Sequence, residues 1–167
     1  MAELVVKERL QPSLLDRLTD DAPGEKIESR EHRVISLRQL RQSVLRDLRW
    51  LMNTTAYEPV EDLSAVPHVA HSVINYGIPA LSGTNFSSVD SGKLARKIKQ
   101  AIIDFEPRIL AHSLNVDIVM SEDQMSHQSI SFKIEGDLWA QPLPLHLFIR
   151  SDLDLETGEV TVEELGG

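Results

Sequence analysis

The sequence predicts an α+β domain with N-terminal helices packed on a C-terminal antiparallel or mixed sheet that ends in a β-hairpin. Two observations carry this. Up to residue 107 the apolar residues recur three or four apart, and beyond it they alternate with polar neighbours. The helical block also precedes the strand block instead of interleaving with it, so no series of βαβ units is indicated. At 167 residues the chain is long enough for one core, with a loose end in front.

Leu10 to Leu18 reads as a short helix, with Pro12 near its start and Leu14, Leu15 and Leu18 on one side. It is too short to stand alone and must dock on something. Thr19 to Ser29 offers little to bury and reads as a loop or linker, so residues 1–29 form a docking helix on a flexible tether and 30–167 a single domain. Ser36 and Gln39 have the form of a capping box, followed by Leu37, Leu40, Val44, Leu48 and Leu51 at helical spacing to about Met52. Ser64-Ala65-Val66-Pro67 looks like the start of a second helix through His68, Val69, Val73 and Ile74, ended at Asn75-Tyr76-Gly77, with Gly77 in a left-handed turn. Leu81 to Val89 is a loop. Asp90 or Ser91 caps a third helix whose stripe is Leu94, Ile98, Ala101, Ile102 and Phe105, and Pro107 stops it.

The alternating segments are Val116, Ile118 and Met120, then Ile130, Phe132 and Ile134, then Leu143, Leu145, Leu147 and Ile149. These give three strands. Leu153 to Val162 adds a final hairpin turning at Thr157-Gly158.

Composition narrows the function. Hydrophobic residues make up 41% and charged residues 26%, ordinary for a globular chain. No apolar run approaches the ~20 residues of a spanning helix, and Met1 to Leu10 has no signal-peptide character, so the expectation is a cytoplasmic protein. With no cysteine there is no disulfide framework, thiolate metal site or cysteine nucleophile. A net charge of -9 disfavours nucleic acid as a partner. The charge is uneven: Arg30, Arg33, Arg38, Arg41, Arg46 and Arg49 fall in one stretch, and Asp152, Asp154, Glu156, Glu159, Glu163 and Glu164 in another. Such asymmetry either orients a subunit in an assembly or pairs internally.

Neither metal nor cofactor is expected. His68 and His71 sit three apart, but no third ligand lies at a matching spacing. There is no Gly-x-Ser-x-Gly elbow and no Gly-rich phosphate loop before a helix. The candidate site is Glu106-Pro107-Arg108, where a rigid proline sets two opposite charges at a helix end. One reading is a helix stop with a local ion pair. The other is a docking clasp, since termination needs no arginine and a guanidinium suits recognition of a partner's carboxylate or carbonyl.

Four segments in order resemble the type VI secretion baseplate subunit TssE, related to the tailed-phage baseplate wedge protein encoded by gene twenty-five. They are Leu14 to Leu18, Arg46 to Thr54, Ser72 to Pro79, and Phe105 to Arg108. The resemblance implies a non-enzymatic structural subunit at the inner face of the cytoplasmic membrane of a Gram-negative bacterium, with no membrane insertion of its own. Its implied partners are the wedge proteins TssF and TssG, through them TssK, and the contractile sheath subunits TssB and TssC. Glu106, Pro107 and Arg108 match the motif attributed to docking on the wedge core. The sheet would template sheath growth by strand addition, the candidate edge being Leu153 to Glu163.

Two other functions compete. The family carries a lysozyme-like label, so the alternative is a peptidoglycan-cleaving muramidase. Phage lysozymes place an Asp nine residues after the catalytic Glu, and no Glu here has one: Asn115 follows Glu106 and Ala70 follows Glu61 at that distance. An adaptor that binds a partner helix through the arginine-rich face is the third possibility.

Overall fold

The computed structural model describes residues 12–19, 23–24, 35–58, 62–80, 90–119, 129–140 and 143–165. Among the described residues four α-helices precede four strands: α1 Leu14–Leu18, α2 Leu37–Met52, α3 Pro67–Ala70, α4 Ser91–Phe105, β1 Asn115–Val119, β2 Ser129–Leu138, β3 Leu145–Asp154 and β4 Val160–Glu164. The fold is α+β, as the change of period predicts. The strands form one antiparallel sheet in the order β1-β2-β3-β4.

Both long helices form where local chemistry dictates. The Ser36 hydroxyl accepts the Gln39 N–H while the Gln39 side chain accepts the Ser36 N–H, closing the capping box of α2. Asp90 caps α4 by accepting the Lys93 N–H at 2.9 Å. From α2, Leu40, Val44, Leu48, Leu51 and Met52 are buried, and from α4, Leu94, Ile98, Ala101 and Ile102. They meet the inward face of the sheet, including Val116, Ile130, Phe132, Ile134, Leu147, Ile149, Val160 and Val162. α2 lies beside β4 and α4 beside β1. The opposite face is polar, with Lys133–Glu135 and Arg150–Asp152 ion pairs and a hydrogen bond between His146 and Asp137.

Three expectations need correction. The second helix is broken: α3 is a single turn, followed by a 3-10 turn at Val73–Asn75, and Val73 and Ile74 are exposed instead of buried. The apolar spacing continues past Ala70, but the helix ends at His71 and leaves Val73 and Ile74 on the surface. The final hairpin forms as expected, β3 and β4 pairing antiparallel around Gly158, but its first strand is the end of the third strand and not a separate one. β3 runs through Leu153, so the sheet has four strands, and Leu143 lies before β3, exposed. Leu37 heads the stripe of α2 but is also exposed. The predicted loop 81–89, most of the 19–29 linker, Met120, Arg30 and Arg33 fall outside the described residues.

Gly77 has φ 129°, and a Cβ there would stand 2.3 Å from the Thr54 carbonyl oxygen. Only glycine fits, because the 76–78 segment closes on the exit of α2: Ile78 N–H donates to Thr54 at 2.9 Å and Ala56 N–H to Ile78 at 2.9 Å. This closure brings Tyr76 edge-on to Phe105 at the end of α4, with ring centroids 5.1 Å apart.

The arginine-rich helix and the acidic C-terminal strand do meet. Arg41 Nε lies 3.0 Å from Glu164 Oε1. Arg49 donates through Nε and Nη2 to the Val162 carbonyl, while Asn53 donates to the Val160 carbonyl and accepts its N–H. The Val160 and Val162 backbone groups point away from β3, since Glu159 and Leu165 on either side bond to it. α2 thus covers part of the outer edge of β4 with side chains.

Candidate docking site

Glu106 is the C-cap of α4, with φ -124° and ψ 74°, the departure from helix that a following proline enforces. That turn directs its carboxylate inward, and the residue is only 3% exposed, while Pro107 is exposed. Arg108 comes back over it. Its Nε donates to Glu106 Oε1 at 2.7 Å and its backbone N–H to the same oxygen at 3.2 Å, with Nη2 on Oε2. Nη2 also reaches Asp47 Oδ2 at 2.5 Å, and Nη1 donates to the Ser43 hydroxyl at 3.1 Å. A guanidinium has five N–H donors, so one on Nη1 remains without an acceptor among the described residues.

Both readings of the motif therefore have a place in the geometry. The ion pair is internal, and it is largely desolvated instead of surface-exposed: the Arg108 side chain is 22% exposed and that of Glu106 4%. Burial alone would lower the Arg108 pKa, but the Glu106 and then the Asp47 carboxylate outweigh it and push it higher still, so Arg108 stays charged.

The partners from α2 were not singled out in the sequence. Ser43 and Asp47 sit four apart, so they share one face of the helix. A polar pair one turn apart beside an apolar stripe was the available signal. Asp47 Oδ1 also accepts from Arg46 Nε at 2.9 Å, with Nη2 as an ion-pair contact 2.8 Å from the same oxygen. Arg46 in turn binds Asp16 of α1, Nη1 to Oδ1, at 2.5 Å, and its guanidinium lies 5.3 Å from the ring centre of Trp50. Partial burial would raise the Asp16 pKa, but the Ser13 hydroxyl and Arg46 hold it below the ordinary aspartate range. The five charges thus alternate along one chain, from Glu106 through Arg108, Asp47 and Arg46 to Asp16.

Around this chain lies a cleft walled by Leu15 of α1, Trp50 of α2, Tyr76, Phe105 and Pro107. Burial raises the Tyr76 pKa and the Asp47 and Glu106 charges raise it further, which keeps the phenol protonated. The matching segments of the sequence converge here: Leu14 to Leu18, Arg46 to Thr54 and Ser72 to Pro79 each supply a wall or a brace around Glu106-Pro107-Arg108. Elsewhere, His71 pairs with Asp104 at 2.8 Å and His68 is exposed. Among the described residues no three His, Cys, Asp or Glu side chains are grouped to hold a metal ion, and no helix is long and apolar enough to cross a membrane.

A family model described as baseplate wedge protein gp25 matches residues 38–143. A solved structure described as a candidate tail lysozyme from Geobacter sulfurreducens is similar at 18% identity and a TM-score of 0.44, covering 80% of this chain and 96% of that one. No curated protein matches.

Proposed function

This chain belongs to the baseplate wedge protein gp25 family, whose members are structural components of a baseplate, and from that premise we propose a non-enzymatic wedge subunit of the type VI secretion baseplate. One observation carries the reading: the matched stretch takes in Ser43, Asp47, the turn at Gly77 and Glu106-Pro107-Arg108 together. The docking face is the cleft rim. Exposed Pro107 and Trp50, which is 52% exposed, supply apolar contact, and Arg108 adds its remaining Nη1 hydrogen to a partner carbonyl or carboxylate. The partners are TssF and TssG, and through them TssK, in the cytoplasm at the inner face of the membrane.

Catalysis has little support in the cleft. Both of its carboxylates, Asp47 and Glu106, are bonded to Arg108, whereas glycoside cleavage needs one carboxyl to present a proton to a leaving oxygen.

Sheath templating by strand addition takes a different edge from the one the sequence suggested. Arg49 and Asn53 occupy outward backbone groups of β4, and among the described residues β1 pairs only with β2. An arm from TssB or TssC therefore adds beside β1, Asn115–Val119.

Co-expression with TssF and TssG tests the reading. A stable complex is expected, lost in Trp50→Ala or Pro107→Ala while the melting temperature of the isolated chain holds. No complex with either protein, or association with an unrelated helical protein alone, would overturn it. So would release of peptidoglycan fragments by the purified chain that a Glu106→Gln change abolishes.

A further inference from the structure

We propose that Glu106-Pro107-Arg108 is a brace for α1: through Asp47 and Arg46 it holds the landing point of Asp16, so that the motif controls whether α1 is seated on the domain. α1 lies outside the stretch matched by the family model, and the brace does not depend on which partner the cleft receives.

The seat of α1 is ionic. None of its residues is buried, and Leu14 and Leu18 are 71% and 75% exposed, so apolar burial does little to hold it. A helix of five residues has no stability of its own. Among the described residues, what joins it to the domain is Asp16 on Arg46, supported by the edge of Leu15 against the cleft. Arg46 is a long, flexible side chain, and its direction is set by two things. It lies over Trp50, and its Nε donates to one oxygen of Asp47.

Asp47 is itself held from the other side. Its second oxygen takes Arg108 Nη2 at 2.5 Å, so two guanidiniums fix the plane of one carboxylate. Arg108 cannot swing away, because Glu106 holds it through Nε, Nη2 and the backbone N–H, and Glu106 is buried at the turn that Pro107 imposes. Rigidity thus passes from a proline-fixed turn to the short N-terminal helix through alternating charges. Charge acts in the same direction. Three carboxylates face two guanidiniums, and without Arg108 a single cation would be left among them, so Asp16 would meet repulsion from Asp47 and Glu106.

Hydrogen exchange on the full chain tests this, read on the peptide containing residues 12–19. Arg108→Lys keeps the charge but cannot engage Ser43, Asp47 and Glu106 together. It should raise α1 exchange about tenfold, the scale of one lost charged hydrogen bond, as should Asp16→Asn. The peptide spanning α2 should stay protected. The double variant should exchange no faster than Asp16→Asn alone. Glu106→Gln, nearly the same shape, gives the same release if Arg108→Lys folds poorly, and Arg41→Lys, off the chain, should leave α1 unchanged. Release by Asp16→Asn but by neither Arg108→Lys nor Glu106→Gln would show that Arg46 seats α1 unaided and would overturn the brace. Exchange of α1 at the unfolded rate in the unaltered chain would overturn it equally. Either failure leaves the wedge reading standing, because complex formation with TssF and TssG is measured separately.

Discussion

α1 and α2 begin alike and end in opposite circumstances. Each opens on a serine N-cap, Ser13 or Ser36, whose side chain accepts a backbone N–H, and each has apolar residues at helical spacing. α2 has sixteen residues and buries its stripe to near zero exposure at Val44 and Leu48, while α1 has five, none of them fully buried. A cap and a periodic stripe are enough to start a helix, but what holds it in place is area removed from water, or failing that an ionic contact. Among the described residues, the first helix is held by Arg46 and the edge of Leu15, the second by the core.

The largest effect should come from breaking the α2 side of this contrast. Leu48→Ala leaves a cavity among α2 and the sheet and should cost about 2–5 kcal/mol, read as a drop in chemical-denaturation midpoint, whereas Leu18→Ala on α1 should leave the midpoint unchanged. Arg108→Ala comes next. It leaves the Glu106 carboxylate buried without its partner, and since Arg108 is itself partly exposed, the loss should lie near the lower end of the roughly 3–5 kcal/mol seen for broken buried pairs. An unchanged melting temperature would show that Arg108 stabilises nothing within the chain.

Gly77→Ala should cost about 1–3 kcal/mol, from a positive φ together with the close approach to Thr54. It should also perturb Tyr76, whose fluorescence or ring resonances report its contact with Phe105.

The smallest effect concerns α1 and pH. The folded-state pKa of Asp16 is depressed, so its contribution is fully present above the ordinary aspartate value of about 4 and is lost as pH falls through the lower folded value. The groups facing it are Ser13 and Arg46, with Asp47 behind, and Arg46 keeps its charge throughout. Acidification from pH 5 to 3 should therefore change Trp50 fluorescence in a Trp139→Phe background, as Arg46 is released from Asp16. Asp16→Asn should remove the Asp16 part of that transition. A transition of the same size in both would place the titrating group elsewhere.

Much of the fold is legible because its signals are local. The capping box at Ser36, the stripe from Leu40 to Leu51, the Asp90 cap and the alternation along β2 and β3 all lie within a few residues of the structure they specify. The failures are where locality runs out. Val73 and Ile74 have the spacing of a helix but no surface to pack on, and the division between a third strand and a hairpin disappears because β3 pairs continuously with β2 from Leu145 to Asp154. The candidate site is legible in the same limited sense: Glu106-Pro107-Arg108 is visible as a charged turn, while Ser43 and Asp47 are not assigned to it.

By itself, then, the sequence determined the two long helices α2 and α4, the strand-rich second half, the need for glycine at residue 77, and a rigid turn bearing two charges after α4. Tertiary structure decided what those charges touch. Arg108 meets Asp47 across 61 positions and Asp16 meets Arg46 across 30, and Arg49 and Asn53 of α2 cover an edge of β4 more than a hundred positions away. Periodicity and capping depend on neighbours a turn or a step apart, which a sequence displays. The pairing of a guanidinium with a carboxylate depends on distance and burial, and those exist only once the core has brought the segments together.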